Sequence, residues 1–196
     1  MVGPTFTCFL KRAAAVLFSI DFSAPHLPPV LEGKSAKSPV CKLETISIGL
    51  CKMYHGTKDE SQRKSLLDLV AQNKAFIYFV IQLACKAIQL CGNDELQLWL
   101  IPLVRFLELI FMTLELCGES DVKMQLEKQG LLIKIMSQLN HLPVDVVENL
   151  SEENVMLQTV LFCIKILFQC ASNIRSQCGY HKYSQGLLLL LQSPNK

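Results

Sequence analysis

The chain has little excess of charge of either sign and few charged residues in total. Among 196 residues, 19 Lys and Arg stand against 17 Asp and Glu, so the formal net charge is +2 and only 18% of the residues are charged. A protein that binds nucleic acid through its phosphates normally has a clearly basic face, so this balance argues against a nucleic-acid binder. It also gives no indication of a polybasic membrane anchor.

Motifs of nucleotide-binding and catalytic sites are missing as well. The sequence contains no GxGxxG, GxxxxGK[ST], HExxH or GxSxG pattern and no EF-hand loop. Its histidines are scattered, and no two carboxylates form a catalytic pair. Glu108 instead follows Arg105 by three residues, which indicates a local ion pair on one helix face. We therefore expect a non-catalytic protein without a cofactor.

Nine cysteines are present, but none has the CxxC spacing of many zinc and redox sites. Their number is odd and most lie in apolar stretches, so we interpret them as reduced, mostly buried thiols in the cytoplasm and/or the nucleus. The best metal-ligating combination is Cys170, Cys178 and His181, with Cys163 as a fourth member. Its spacing is wider than that of structural zinc sites, and we expect no metal site.

Two long apolar stretches, Phe76–Cys91 and Leu96–Cys117, raise the question of a membrane, since 51% of the residues are hydrophobic. Polar residues interrupt the first stretch. Arg105 and Glu108 lie near the middle of the second, where each would cost about 2.5–3.5 kcal/mol at a bilayer centre. Tightly packed helices explain both stretches at lower cost, and we expect no membrane span.

The N-terminal forty residues differ from the rest of the chain. Lys11 and Arg12 precede the short apolar run Ala13–Ile20, a weak match to a signal peptide, so a membrane-associated or secretory-pathway helical protein is the alternative. Residues 22–40 hold four prolines with several Ser and Lys, a composition typical of an extended linker. We expect residues 1–40 to be a largely flexible arm and linker, in which Met1–Asp21 is a short helix or a disordered arm separate from the main body, and residues 41–196 to form the helical domain.

From Cys41 onward, the apolar residues recur at helical spacing and show no strand-like alternation. Glycines and capping residues between the apolar runs indicate where the helices end. Pro102 is expected to break or kink its helix. The expected helices cover about 43–54, 60–73, 74–91, 95–117, 121–128, 131–140, 151–172, 174–184 and 187–192.

The chain matches itself when it is shifted by 56 residues. Phe106 falls on Phe162, and Gln129–Ile133 (QGLLI) falls on Gln185–Leu189 (QGLLL). In both copies a long apolar helix ends at small or polar residues. A short helix, the pair Gln-Gly and a Leu-rich helix then follow in that order. Because one such unit cannot bury its own apolar faces, consecutive units are expected to stack and share a core.

The segment from Leu114 to Met136 (LELCGES…EKQGLLIKIM) resembles an armadillo repeat, and residues 162–191 look similar. The resemblance covers roughly residues 74–196, of which residues 74–117 look equally similar to HEAT-like helix pairs. It implies an all-α fold, namely a right-handed α-solenoid of armadillo-like helical repeats. In such a solenoid the long third helices of the repeats line a groove. It further implies a protein–protein interaction scaffold that binds a polypeptide partner. The long helices lack the spaced Trp and Asn of nuclear-import adaptors, so no particular ligand is implied.

Polar side chains recur at three- and four-residue steps along three of the expected helices. They are Lys74, Tyr78, Gln82, Lys86 and Gln89, then Arg105, Glu108 and Glu115, and finally Gln158, Lys165 and Gln169. Either they form the solvated faces of amphipathic helices, or they line the groove and contact the partner. If they line the groove, Lys86→Glu or Lys165→Glu lowers partner binding without lowering stability. The nearly all-leucine segment 187–192 is a further candidate for self-association, since a finished solenoid normally ends in a polar cap.

Overall fold

The computed structural model describes residues 2–29, 38–93, 96–116, 121–142 and 154–170. Within these ranges the chain forms eight helices and no strand, which confirms the all-α prediction. The helices are α1 (Gly3–Phe18), α2 (Pro39–Gly56), α3 (Glu60–Gln72), α4 (Lys74–Gln89), α5 (Gln97–Leu116), α6 (Asp121–Lys128), α7 (Leu131–Asn140) and α8 (Val155–Gln169). The helices expected over 174–184 and 187–192 lie outside the described residues.

Side-chain caps set the starts of three helices. Asp59 and Asn73 each accept a hydrogen bond from the backbone N–H three residues later, at 2.9 and 3.1 Å, and begin α3 and α4. Asn154 accepts one from the second N–H of α8 at 2.8 Å. Each cap satisfies a backbone donor that has no partner within the helix. The start expected near Ser151 lies outside the described residues.

A break or a kink was expected at Pro102, and of the two the break does not occur, since α5 runs without interruption through this residue. The proline is the sixth residue of Gln97–Leu116 and removes a single backbone donor near the start of the helix. It is buried, and so are Trp99 and Leu103 beside it. The apolar burial along this turn offsets the missing hydrogen bond and keeps the helix continuous.

α1 is packed into the helical core, although residues 1–40 were expected to form a flexible arm and linker. It contacts α2, α3 and α4. On α2, Gly49 allows the ring of Phe9 to approach so closely that an added Cβ would lie 3.2 Å from it. The fully buried side chains of α1 are Phe6, Leu10, Ala13 and Leu17. The expectation of a flexible arm therefore does not hold for residues 3–18, and residues 30–37 lie outside the described part.

Six of the eight described helices pack in two rows, and α3 and α6 pack beside them. In one row α1 contacts α4 and α4 contacts α7, and in the other α2 contacts α5 and α5 contacts α8. Each contact along a row joins helices that are three apart in chain order. The rows contact each other where α1 packs on α2 and where α4 packs on α5. At the second of these contacts the fully buried rings of Phe76 and Phe106 lie edge to face with centroids 5.3 Å apart.

In the described part of the chain, α5 is the one helix that is long and apolar enough to cross a membrane by length and composition. More than half of its most apolar window is buried inside the protein, as in the core helix of a soluble protein. α3 and α4 meet the same criterion only as a pair, and they are bent by 76° where they join.

Candidate functional site

The residues predicted to contact a partner divide between the two helix rows. Those on α4 belong to the row formed by α1, α4 and α7, whereas those on α5 and α8 belong to the row formed by α2, α5 and α8. The structure therefore does not bring all of them onto one helix row. The α4 set is Lys74, Tyr78, Gln82, Lys86 and Gln89, and the second set is Arg105, Glu108, Glu115, Gln158, Lys165 and Gln169.

The polar residues of α4 do not form an open stripe, because two of them are buried. Gln82 is 9% exposed and Lys86 is 5% exposed. The ammonium group of Lys134 on α7 donates a hydrogen bond to Gln82 Oε1, and Lys86 Nζ donates to Gln89 Oε1 at 3.4 Å. Gln82 thus joins α4 to α7, and neither it nor Lys86 is positioned as an exposed contact residue.

Lys86→Glu is consequently expected to lower the free energy of unfolding by about 1–3 kcal/mol, the usual cost of a buried polar group without a partner. The new carboxylate would face the amide oxygen of Gln89, and Asp21, whose pKa is lowered mainly by hydrogen bonds from Ser23, would lose the smaller favourable effect of the Lys86 charge. Urea unfolding followed by circular dichroism measures the change. Lys11→Glu on the exposed side of α1 makes the same change of charge and is the control, expected to stay within about 0.5 kcal/mol. Equal stabilities of the two variants would contradict the burial of Lys86.

On α5 the predicted residues follow one stripe. Arg105, Glu108 and Glu115 are separated by three and seven residues, which places them on the same side of the helix. Arg105 and Glu108 are partly exposed and Glu115 is exposed. α2 borders this stripe, since Arg105 Nη1 donates to Ser47 Oγ at 3.3 Å and Glu108 Oε1 lies 3.4 Å from His55 Nε2.

α8 borders the same stripe through an aromatic contact. The rings of Phe111 on α5 and Phe162 on α8 have centroids 6.1 Å apart. Lys165 Nζ lies over both rings, 5.5 and 5.0 Å from their respective centroids. At these distances the ammonium group is attracted to the negative faces of the rings. Gln158 and Gln169, seven residues before and four after Lys165, fall on the same side of α8.

We call the side chains that these three helices place together the α2–α5–α8 surface. Carboxylates, cations, amides and aromatic rings all contribute to it. Its members are Cys51, His55, Arg105, Glu108, Phe111, Glu115, Gln158, Phe162, Lys165 and Gln169. All the predicted residues of α5 and α8 belong to it.

Three side chains with metal-ligating atoms meet where α2 and α5 border each other. Cys51 and His55 are one turn apart on α2, and their ligand atoms and that of Glu108 lie within 4.8 Å of one another. The side chain of His55 is 56% exposed and that of Glu108 is 32% exposed. Burial and the negative charge of Glu108 raise the pKa of the Cys51 thiol to about 11, although Arg105 opposes them. The thiol is therefore protonated near neutral pH.

Sequence reasoning missed this cluster and the aromatic contact. The signal for half of the cluster was present, because Cys51 and His55 have the four-residue spacing that places two ligands on one helix face. Glu108 comes from a helix much later in the chain, and its proximity depends on how α2 packs on α5.

The described cysteines form no disulfide, as expected, but fewer of them are buried than expected, since Cys8 is exposed and Cys41, Cys51 and Cys91 are only partly buried. All seven cysteines in the described ranges are free. Cys85, Cys163 and Cys170 are buried, and burial raises the pKa of each thiol, which keeps it in its unreactive protonated form. Two members of the metal combination considered from the sequence, Cys178 and His181, lie outside the described residues.

Comparisons of the chain with protein-family models, curated proteins and solved structures gave no match. No family, activity or partner is therefore transferred from a relative. The function has to be inferred from the packing of the helices and from the chemistry of the α2–α5–α8 surface.

Proposed function

We propose that the chain is a non-catalytic scaffold of armadillo-like repeats that binds a polypeptide partner on the α2–α5–α8 surface. The observation that supports this proposal is that, within each row, the helices in contact are three apart in chain order. An armadillo-like unit has three helices, and stacked units place their third helices side by side along a groove. α2, α5 and α8 fit that position, and the 56-residue self-match aligns α5 with α8.

The chemistry of the surface favours a polypeptide over other partners. Glu108 and Glu115 on α5 would repel a phosphate backbone but would attract basic side chains. Beside them, Phe111 and Phe162 offer apolar contact area of the kind that anchors protein interfaces. Arg105 and Lys165 on the same surface would attract acidic side chains, so the best-fitting partner is a segment that carries charges of both signs together with apolar side chains. The free cysteines support a reducing compartment, the cytoplasm and/or the nucleus.

Lys165→Glu is expected to weaken partner binding about tenfold, which corresponds to roughly 1.4 kcal/mol. The substitution places a carboxylate over the negative faces of Phe111 and Phe162 and removes the attraction that now orders this contact. Proximity labelling in cells with quantitative mass spectrometry compares the neighbours of the wild type and the variant. Glu115→Lys, which reverses a charge on α5, is expected to deplete the same neighbours.

Lys64→Glu on α3 is the matched control, because Lys64 is exposed and lies outside the α2–α5–α8 surface. It makes the same change of charge and should leave the labelled neighbours unchanged. The proposal is wrong if both surface variants label the same proteins as the wild type. It is equally wrong if the control depletes those neighbours as strongly as Lys165→Glu, since the effect would then follow net charge alone.

A further inference from the structure

We infer that Cys51, His55 and Glu108 form a binding site for a transition-metal ion and that Zn²⁺ is the ion they fit best. The inference goes beyond the proposed scaffold function and does not depend on it. Three observations carry it: the approach of the ligand atoms, the helices that hold them, and the match between their chemistry and the ion.

The ligand atoms already lie close to the separations of a zinc site. Zinc bonds of about 2.0–2.3 Å in a tetrahedron place neighbouring ligand atoms roughly 3.3–3.6 Å apart. His55 Nε2 and Glu108 Oε1 are 3.4 Å apart, and no two ligand atoms of the cluster are more than 4.8 Å apart. The remaining gap of about 1 Å is of the size that side-chain torsions can close.

Two packed helices hold the three ligands. Cys51 and His55 are one turn apart on α2, so both reach the same side of that helix. Tyr54 is buried, and its ring lies edge to face against the imidazole of His55 with centroids 5.1 Å apart. α5 packs against α2 and supplies Glu108. The exposed side of His55 leaves an entry path and room for water as a fourth ligand.

The chemical types of the three ligands favour some metal ions over others. A thiolate, an imidazole and a carboxylate together suit Zn²⁺ and other late transition metals, whereas Mg²⁺ and Ca²⁺ prefer oxygen ligands alone. Binding requires the thiolate, so the ion displaces the thiol proton of Cys51, which is released to solvent. The guanidinium group of Arg105, which donates a hydrogen bond to Ser47, is a cation near the cluster. Its single positive charge is exceeded by the two negative charges of the Cys51 thiolate and the Glu108 carboxylate.

The test is a titration of the full-length reduced protein with Co²⁺, a spectroscopic probe for zinc sites, followed by displacement with Zn²⁺. We expect one equivalent to produce sulfur-to-cobalt charge-transfer absorption and the strong visible bands of tetrahedral coordination. Cys51→Ser should remove the charge-transfer absorption. Both Cys51→Ser and Glu108→Gln should weaken binding at least tenfold, since even the loss of an outer-shell partner typically costs about 10–100-fold.

Cys8→Ser is the control, because Cys8 is an exposed thiol on α1 and is not part of the cluster. It should bind Co²⁺ as the wild type does. A second measurement needs no variant: one equivalent of Zn²⁺ should slow alkylation of Cys51, read peptide by peptide in a mass spectrometer, while alkylation of Cys8 continues unchanged. Charge-transfer absorption that persists in Cys51→Ser, or alkylation of Cys51 that Zn²⁺ does not slow, would overturn the inference.

Discussion

Phe106→Ala is expected to lower the free energy of unfolding by about 3–5 kcal/mol. Phe106 is fully buried, and its ring packs edge to face on Phe76 where α4 meets α5. The substitution removes that contact and leaves a cavity where the two helix rows join, and close-packed neighbours relax into such a cavity only in part. Because single domains are usually stable by about 5–15 kcal/mol, this loss would bring the protein close to unfolding.

Urea unfolding followed by circular dichroism measures this loss, and Phe168→Ala is the matched control. Phe168 on α8 is 57% exposed, so truncating the same kind of side chain there should change the free energy of unfolding by no more than about 0.5 kcal/mol. Equal losses in the two variants would show that Phe106 does not lie in a packed core between α4 and α5.

The positions of most helices could be predicted because local chemistry sets their ends. α6 and α7 have the bounds expected from the sequence, and Gly130 between them adopts a φ of +65°, which glycine tolerates and other residues rarely adopt. Asp59 and Asn73 act as caps through their own side chains. These signals lie within a few residues of the boundary, so no knowledge of the tertiary fold was needed to read them.

The burial of α4 could not be predicted in the same way. Gln82 and Lys86 lie at helical spacing on what looked like a polar stripe, yet both are buried. α4 contacts α1, α5 and α7, so little of its surface is left for solvent. A long side chain such as that of Lys86 can bury its methylene groups along apolar neighbours, and hydropathy alone does not reveal this. Which side of a helix is covered depends on its neighbours in the fold.

The candidate functional site, too, could be predicted from the sequence only in part. The stripe of Arg105, Glu108 and Glu115 was visible in the sequence, because it lies within one helix. The partners that flank it, His55 on α2 and Phe162 on α8, come from helices distant in the chain. Periodicity identifies the members of a helix face, but it does not identify the residues of other helices that pack beside it.

The N-terminal helix gives the second large prediction. Leu10→Ala is expected to lower the free energy of unfolding by about 2–5 kcal/mol, the range for truncating a buried leucine. Leu10 is fully buried on the side of α1 that packs against α2, α3 and α4. The spacing of its apolar neighbours was compatible with a helix, but the proline-rich segment after it favoured a separate arm. The structure makes α1 part of the shared core instead.

Lys11→Ala is the control for this prediction, because Lys11 is the next residue along α1 and is exposed. It should change stability by no more than about 0.5 kcal/mol. Urea unfolding of the full chain distinguishes the two arrangements of residues 3–18. In a detached arm, Leu10 would have no packing to lose, and both variants would unfold at the wild-type urea concentration. In the arrangement found here, only Leu10→Ala shifts the midpoint, since it opens a cavity that α2, α3 and α4 cannot fill without moving.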